Sequence, residues 1–333
     1  MTRGALLSKF LIPSLAAVLL ACLCLPALAG AAYREPALTV PAERLDAAFH
    51  CPFAPQGKRG KQPILLVTGT GVTGSEAFLI ASGPFHVLGR PACYVDFPYR
   101  TTGDIQISVQ YLVRAIQNLY KLAGQKIAMI GVSQGGLLPR WALTYWPSLR
   151  SKVTDVVAVA GTQHGSNIIG PCSALAPCVP AEWQQLAGSQ LLGAINREPD
   201  ESPGSTSWTT VRTLTDEVVQ PQSGPKPTSS LIGATNISIQ AVCPGRVVRH
   251  IPSALDSVTF AALIDAVTHA GPAKVSRLPK DVCSHPWAPG APSIVNQLRI
   301  SHAAAIEPDP QTRAPLVAAE PAVQPYALKT VPR

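Results

Sequence analysis

The chain alternates between continuous apolar runs and segments in which apolar residues recur every three or four positions. Buried strands are predicted over 63–67, 93–98, 127–130, 153–160, 208–214 and 235–243, of which 63–67 and 127–130 are uninterrupted apolar runs. Helical spacing is found over 105–122, 137–145 and 255–269, and Gly124 is expected to end the first of these helices. Strands that lack polar alternation and are separated by helices predict an α/β fold. Its mostly parallel central sheet would have helices on both faces.

Three other regions are less regular. Residues 30–54 show weak periodicity, and residues 161–185 are rich in proline and directly follow a predicted strand, which places them near the rim of a site. From about residue 287 proline and alanine dominate, apart from a helix predicted over 294–306. No internal repeat or second domain is visible, so 30–333 is predicted to be a single domain.

The first 29 residues have the pattern of a secretory signal peptide. Arg3 and Lys9 supply the charged start, 10–25 is the apolar core, and 27–29 is an A-x-A cleavage site. Two alternatives are an uncleaved membrane anchor, for which the run is short, and a lipoprotein signal acylated on Cys22. No later stretch is apolar enough to span a membrane. We therefore expect an exported protein, in the periplasm or the medium.

Composition and charge restrict the function further. The 333 residues are 47% hydrophobic and 14% charged, which suits a large buried core. The net charge is +8, and removal of Arg3 and Lys9 with the signal would leave 25 basic against 19 acidic residues, or +6. No basic patch is interleaved with aromatic residues, so nucleic acid is not an expected partner.

Six cysteines would remain in the exported chain: Cys51, Cys93, Cys172, Cys178, Cys243 and Cys283. An even number in an exported protein implies disulfides, for which six cysteines allow 15 connectivities. Since no C-x-x-C pair remains, a structural zinc site is not expected.

The most informative stretch is the apolar run 127–130, followed by Gly131-Val-Ser-Gln-Gly135 and a helical pattern. Strand, G-x-S-x-G and helix together form the nucleophile-elbow pattern of α/β-hydrolases. A side chain at Gly131 or Gly135 would collide with the neighbouring element, whereas the hydroxyl of Ser133 would be lifted clear of the sheet. The N-terminus of the following helix would then favour a developing oxyanion.

The Gly- and Thr-rich loop 68–74 follows the first predicted strand. It does not fit the Walker phosphate-binding pattern, because no Gly-Lys-Ser/Thr sequence follows. In a hydrolase the loop at this place supplies the other half of the oxyanion hole. Thr70 can offer both a backbone N–H and a hydroxyl there.

A serine nucleophile needs a base and an acid that orients the base, in the chain order serine, acid, histidine for this fold. His250 lies in a loop directly after a predicted strand, where such a base belongs. His269 is the alternative, but its place at the end of a predicted helix suits a helix cap. Asp216 lies just past a strand and is the preferred acid. Its neighbour Glu217 is interpreted as a solvated loop charge.

These residues resemble lipases of the Candida antarctica lipase B type. The resemblance is carried by 63–71, 133–137, 147–153, 182–185, 215–222 and 240–243, within roughly 51–283. It implies an α/β-hydrolase fold with a short lid segment, Ser133 as nucleophile, Asp216 as acid and His250 as base. It also implies an oxyanion hole formed by Thr70 and Gln134.

The same resemblance implies two disulfides, Cys51 with Cys93 and Cys243 with Cys283. The second would hold the strand before the histidine against the chain after the following helix. The family's third disulfide lies in the C-terminal tail, where this chain has no cysteine.

Three departures from the family pattern concern the pocket and its entrance. Val132 replaces a large aromatic residue at the floor of the alcohol pocket, which should leave more room for bulky alcohols. Thr162 replaces an acidic residue near the acyl pocket. Cys172 and Cys178 bracket the segment that matches the lid, and we hypothesise that they pair and tether it. Such a short loop constrains the unfolded chain by roughly 2 to 3 kcal/mol.

We expect a secreted, monomeric serine lipase or carboxylesterase that hydrolyses lipid-like esters through an acyl-enzyme, at or near a lipid–water interface, without metal or organic cofactor. The lipid-like substrate is suggested by the family and by an expected apolar rim of Ile168, Ile169, Leu175, Leu186, Leu191 and Leu192. The alternatives are a non-lipolytic esterase or polyester hydrolase with the same triad, a serine peptidase, and a catalytically inactive exported binding protein.

Overall fold

The computed structural model describes residues 1–2, 33–57, 60–293 and 312–331, and its strands form one sheet. The strands are β1 Phe49–Phe53, β2 Ile64–Val67, β3 Ala92–Val95, β4 Ile127–Val132, β5 Val153–Val159, β6 Ser207–Arg212 and β7 Thr235–Ser238. Their order is β1-β3-β2-β4-β5-β6-β7. β1 pairs antiparallel with β3, and the other neighbours are parallel. The predicted mostly parallel sheet is confirmed.

The residues divide into two compact units, Met1–Arg34 and Glu35–Arg333, and every described helix and strand belongs to the second. Apart from Met1 and Thr2, the predicted signal peptide lies outside the described residues, as does the predicted helix 294–306. Within the described ranges, no helix is long and apolar enough to cross a membrane.

The helices cover both faces of the sheet. They are α1 Ala42–Ala47, α2 Gly74–Leu88, α3 Ile105–Ala123, α4 Gln134–Tyr145, α5 Pro180–Gln185, α6 Gln190–Asn196, α7 Ile239–Val242 and α8 Ser257–Thr268. Phe78 of α2 and Phe260 of α8 belong to the cluster that includes Val157 of β5. The next residue, Ala158, points to the opposite face, where a Cβ added to Gly136 of α4 would lie 3.4 Å from it.

The longest helix, α3, forms where its apolar spacing predicts. The Asp104 side chain caps its first turn by accepting from Gln106 N. Gly124 ends the helix with φ 62, a left-handed conformation that glycine adopts without a Cβ penalty, as predicted.

The end predicted for the last strand is wrong. The last strand ends at Ser238 and not at residue 243, because the chain turns into α7. Gln240 stabilises this turn, since its Oε1 accepts from Leu214 N at 2.8 Å and its Nε2 donates to Thr213 Oγ1 at 2.9 Å. Sequence reasoning also missed α1, β1, α2, α5 and α6. In α2 the proline at position 84, within the helix, and the mostly apolar composition obscure the helical pattern.

Three disulfides join cysteines within the described ranges. Cys51–Cys93 joins the edge strand β1 to β3, Cys243–Cys283 joins the chain after α7 to the chain after α8, and Cys172–Cys178 closes a loop before α5. These are the pairs expected above.

The described C-terminal segment, 312–331, runs along the side of the molecule that carries α3 to α6. Val317 N donates to Cys178 O at 2.8 Å, and Trp183 Nε1 donates to Val317 O at 2.9 Å. Further along, Trp141 Nε1 donates to Tyr326 Oη at 3.1 Å. The segment therefore joins the disulfide-closed loop to α5, and its residue Tyr326 is bonded to α4.

Candidate active site

Ser133 lies between the end of β4 and the first residue of α4, with φ 58 and ψ −126. A non-glycine residue with such a positive φ is strained, and strain of this kind is concentrated at functional sites. The predicted glycine constraints are confirmed. A Cβ on Gly131 would lie 1.9 Å from Gly135 O, and a Cβ on Gly135 would lie 2.2 Å from Val67 O. Strand and helix therefore pack back to back, with the serine at the turn between them.

The loop between β2 and α2 approaches this turn closely. Its glycines at 69, 71 and 74 have the G-x-G-x-x-G spacing known from dinucleotide sites. Here, however, they serve chain packing. A Cβ on Gly69 would lie 2.9 Å from Ser133 Cβ, Gly71 has φ 80, and a Cβ on Gly74 would lie 2.2 Å from a backbone oxygen of β3. Thr70 is thereby brought beside the elbow.

His250 and Asp216 form a buried pair. His250 Nδ1 lies 2.8 Å from Asp216 Oδ2, and the two side chains are 5% and 0% exposed. Asp216 Oδ1 accepts hydrogen bonds from the backbone N–H groups of Val218 and Val219, each at 2.8 Å. A carboxylate held in this way favours the tautomer in which Nδ1 carries the proton and Nε2 is left as an acceptor.

Glu217 is bonded to the histidine loop, so its interpretation as a merely solvated charge is wrong. Its Oε2 accepts the backbone N–H of His250 at 2.9 Å, and its Oε1 lies 2.9 Å from Arg249 Nε. On the other side Ser253 Oγ donates to His250 O at 2.6 Å. The backbone of the histidine is thus held from both directions. Adjacency to Asp216 was the only sequence signal for this role.

Thr70 and Gln134, the predicted oxyanion-hole residues, are in contact, since Thr70 Oγ1 donates to Gln134 Oε1 at 2.6 Å. Gln134 is the first residue of α4, where backbone N–H groups have no partner within the helix. Sequence reasoning gave no role to Gln185. Its Nε2 donates to Thr70 Oγ1 at 2.9 Å, and its Oε1 accepts from Thr162 Oγ1 at 3.0 Å.

A cavity of about 480 Å³ opens beside these residues. Ser133, His250 and Thr70 line it, together with Val132 and Thr162. Much of the remaining wall is apolar and includes Leu66, Ile130, Ile169, Val179, Val218, Leu255, Phe260 and Leu263. An apolar cleft with a few convergent polar groups is the usual form of a small-molecule site.

The expected apolar rim is correct only in part. Ile169 lines the cavity, and Ile168 and Leu175 are 50% and 99% exposed in the segment before α5. Leu191 and Leu192, by contrast, are buried in α6 and belong to the core. These two leucines lie on the buried face of a short helix that was not predicted from the sequence.

His164 and His269 are not among the residues that line the cavity. His164 Nε2 lies 2.9 Å from Glu201 Oε1. His269 is the residue at which α8 ends, and its Nδ1 lies 3.1 Å from Asp265 Oδ1. The interpretation of His269 as a helix cap is therefore confirmed.

One group among the described residues has the spacing of a metal site. It consists of Cys172, Cys178 and Glu182, whose candidate ligand atoms lie within 4.8 Å of one another. The two sulfurs are joined in a disulfide, so they cannot act as the thiolates that bind zinc.

Several known proteins are similar to this chain in sequence or in fold. No family model matches the chain. Lipase B of Pseudozyma antarctica is 37% identical over 231 residues, which cover 68% of this chain and 67% of that protein. The crystal structure of Aspergillus fumigatus lipase B has a TM-score of 0.80 and 29% identity, and covers 88% of this chain and 73% of that chain. The propeptide form of Bacillus licheniformis lipase BlEst2, at a TM-score of 0.51 and 17% identity, shares the fold over 68% of this chain and 54% of its own.

Proposed function

The chain belongs to the family of Candida antarctica lipase B-type lipases, and we propose that it is an exported serine lipase that acts on lipid-like esters. It is a carboxylic-ester hydrolase, as its family membership requires. The proposal goes further and assigns the nucleophile to Ser133, the general base to His250 and the orienting acid to Asp216.

The observation that carries the assignment is the meeting of two separate features at one cavity. The strained Ser133 and the buried His250 both line it, although 117 positions of sequence numbering separate them. The Nδ1 of the histidine is occupied by Asp216, which leaves Nε2 to take a proton.

In the first half of the reaction His250 Nε2 removes the Ser133 hydroxyl proton as the oxygen attacks the ester carbonyl. The negative charge that develops on the carbonyl oxygen is stabilised by the Thr70 and Gln134 backbone N–H groups and by the Thr70 hydroxyl. One such donor is typically worth about 3 kcal/mol of the barrier. His250 then protonates the leaving alcohol, and an acyl-enzyme remains.

In the second half His250 activates a water molecule, which attacks the acyl-enzyme and releases the carboxylic acid. Asp216 does not itself accept the proton. It keeps the imidazole in one tautomer and stabilises the imidazolium that forms in each half-reaction.

The cavity wall supports an apolar substrate. Val132 and Thr162 both line the cavity. By the family resemblance, the small Val132 leaves room for a bulky alcohol, and the neutral Thr162 takes the place of a charged residue near the acyl pocket. The three disulfides and the signal-like first 29 residues support export into an oxidising compartment.

The experiment is hydrolysis of emulsified tributyrin and of soluble para-nitrophenyl butyrate by the exported form, beside Ser133→Ala. We expect activity on both substrates that falls at least about 10⁴-fold in the variant, because the acyl-enzyme can no longer form. Activity on the soluble ester alone would make it a non-lipolytic esterase. Equal activity of wild type and variant would contradict the assignment of the nucleophile.

A further inference from the structure

The Thr70 hydroxyl stands at the end of a chain of hydrogen bonds that determines where its hydrogen can point. Gln185 Nε2 lies 2.9 Å from Thr70 Oγ1, which in turn lies 2.6 Å from Gln134 Oε1. An amide NH₂ group can only donate, so the Thr70 oxygen accepts from Gln185. The one hydrogen of the hydroxyl is therefore directed to an acceptor on its other side.

The orientation of the Gln185 amide is fixed independently of Thr70. Its Nε2 also donates to Ala181 O, one turn earlier on α5, at 3.0 Å, and its Oε1 accepts from Thr162 Oγ1 at 3.0 Å. Turning the amide over would place its oxygen against the Ala181 carbonyl, with no hydrogen between two acceptors. Gln185 and Thr162 are 3% and 1% exposed, so these bonds are shielded from water.

We infer that Gln185, held by Thr162, is a positioning residue that directs the Thr70 hydroxyl hydrogen to the oxyanion. The inference rests on the proposed function and deepens it. In the free enzyme the hydrogen is taken by the neutral Gln134 Oε1. Once charge develops on the substrate oxygen, that oxygen is the stronger acceptor. Gln185 Nε2 also lies 3.3 Å from Gln134 Oε1. When the Thr70 hydroxyl rotates, one of the two Nε2 hydrogens can be shared between Thr70 Oγ1 and Gln134 Oε1.

The effect belongs to the transition state, because the oxyanion is absent when substrate first binds. A variant that disturbs this arrangement should therefore lower kcat and leave KM nearly unchanged. A purely structural role of Gln185 in the cavity wall would instead raise KM or lower stability.

A double-mutant cycle tests the link to Thr70. Gln185→Leu should lower kcat for para-nitrophenyl butyrate roughly tenfold, and Thr70→Val should lower it roughly 100-fold. In the Thr70→Val background, Gln185→Leu should cost no further activity, because the hydroxyl through which it acts is gone. If the two losses multiply, the inference is overturned.

Gln185→Glu tests the donor itself at nearly constant volume. Its carboxylate would accept the Thr70 hydrogen and hold it away from the oxyanion. The kcat of this variant, divided by that of wild type at the same pH, should be low at pH 8 and rise as the pH is lowered and the carboxyl is protonated. A ratio that stays near one at every pH contradicts the inference.

Gln184→Leu is the matched control. Gln184 is the preceding residue of α5 and fully buried, but it bonds to Ile105 N and Asp104 Oδ1, away from the cavity. We expect this variant to lose stability and keep kcat within about twofold. Ser133→Ala distinguishes failure of the proposed function from failure of the positioning role of Gln185. If it stays active, the proposed function fails, whereas a wild-type kcat of Gln185→Leu beside an inactive Ser133→Ala overturns the positioning role alone.

Discussion

At the scale of single residues, the three members of the proposed triad are held in place by close packing of the backbone and by hydrogen bonds. Ser133 is held at φ 58 by glycines on either side of it. Asp216 is held by two backbone N–H groups, and His250 by Asp216 through its ring and by Glu217 through its backbone. Each reacting group is thus fixed before substrate arrives, which is what electrostatic preorganisation requires.

The adjacent carboxylates of Asp216 and Glu217 should respond very differently to neutralisation. Asp216→Asn should lower kcat by about 10⁴-fold, because an amide no longer stabilises the imidazolium or the required tautomer. Steady-state kinetics on para-nitrophenyl butyrate at pH 8 measures the effect.

Glu217→Gln is the control for that substitution. The amide oxygen can still accept the His250 N–H, and only the exposed ion pair with Arg249 is lost, so kcat should stay within about threefold of wild type. Equal losses in the two variants would mean that the orienting acid has been assigned to the wrong carboxylate.

Ser133, Asp216 and His250 could be predicted from the sequence. The elbow is a short motif of neighbouring residues, and the triad residues follow a fixed order along the chain. The sequence could not assign Gln185 or Glu217. Their roles depend on which hydroxyl or backbone N–H reaches them in the folded chain, and no spacing in the sequence reports that. Family resemblance matched the run 182–185 without saying which glutamine faces the cavity.

At the scale of elements, the buried strands were predictable and several helices were not. Strands such as β2 and β4 are apolar runs because the parallel sheet is covered on both faces. The helix α2 begins with a capping box at Thr73 and Glu76, yet its mostly apolar composition shows no amphipathic period. The short α5 and α6 are held by tertiary bonds, so their propensity is a weak signal.

The loop closed by Cys172–Cys178 is an element of its own. Ser173 and Ala176 exchange two backbone hydrogen bonds, at 3.0 and 3.1 Å, and Leu175 is fully exposed between them. Its base is fastened by the bond from Val317 N to Cys178 O. The loop is therefore a tight hairpin, and residues on either side of it, Gly170 and Val179, line the cavity.

Replacing both cysteines of this hairpin by alanine should loosen it without harming the chemistry. Loss of about 2 kcal/mol of constraint should raise the rate of cleavage at Leu175 roughly 30-fold, measured with a protease that cuts beside leucine. Hydrolysis of para-nitrophenyl butyrate should be unchanged, and cleavage elsewhere should not accelerate. An unaltered cleavage rate at Leu175 would show that the backbone bonds alone hold the hairpin.

At the scale of the whole molecule, a buried carboxyl group lies at the edge of the sheet opposite the cavity. The cavity lies at the carboxyl ends of β2 and β4. Asp155 lies near the opposite end, on β5, where it is 6% exposed. Burial raises its pKa to about 6, and neither the Thr154 hydrogen bond nor the charge of Arg90 cancels that effect.

The raised pKa makes Asp155 a source of pH-dependent stability. The contribution of the protonated Asp155 to the free energy of unfolding is complete below its pKa in the unfolded chain, near 4. It is lost as the pH rises through about 6, because the folded protein must then hold a buried charge. Asp155→Asn should therefore be more stable than wild type above pH 6 by about 2 to 3 kcal/mol, and equal to it near pH 4. Urea unfolding at several pH values measures this difference.

Asp265→Asn supplies a control of opposite sign. Burial acts to raise the pKa of Asp265, but hydrogen bonds from Arg277 and from Lys274 N outweigh it and lower the pKa. This substitution should destabilise the protein at neutral pH, by an amount that shrinks as the pH falls through the folded pKa. A pH-independent difference for Asp155→Asn would contradict its assignment as a buried charge.

The central claim is that Ser133 is the nucleophile activated by His250, and covalent trapping tests it most directly. An aryl alkylphosphonate ester should add once per chain, and mass spectrometry of the digested protein should find the adduct on the peptide that contains Ser133. The label should be absent from Ser133→Ala and much slower to form in His250→Ala. Stoichiometric labelling of another residue, or no labelling of folded protein that still hydrolyses esters, would contradict the account.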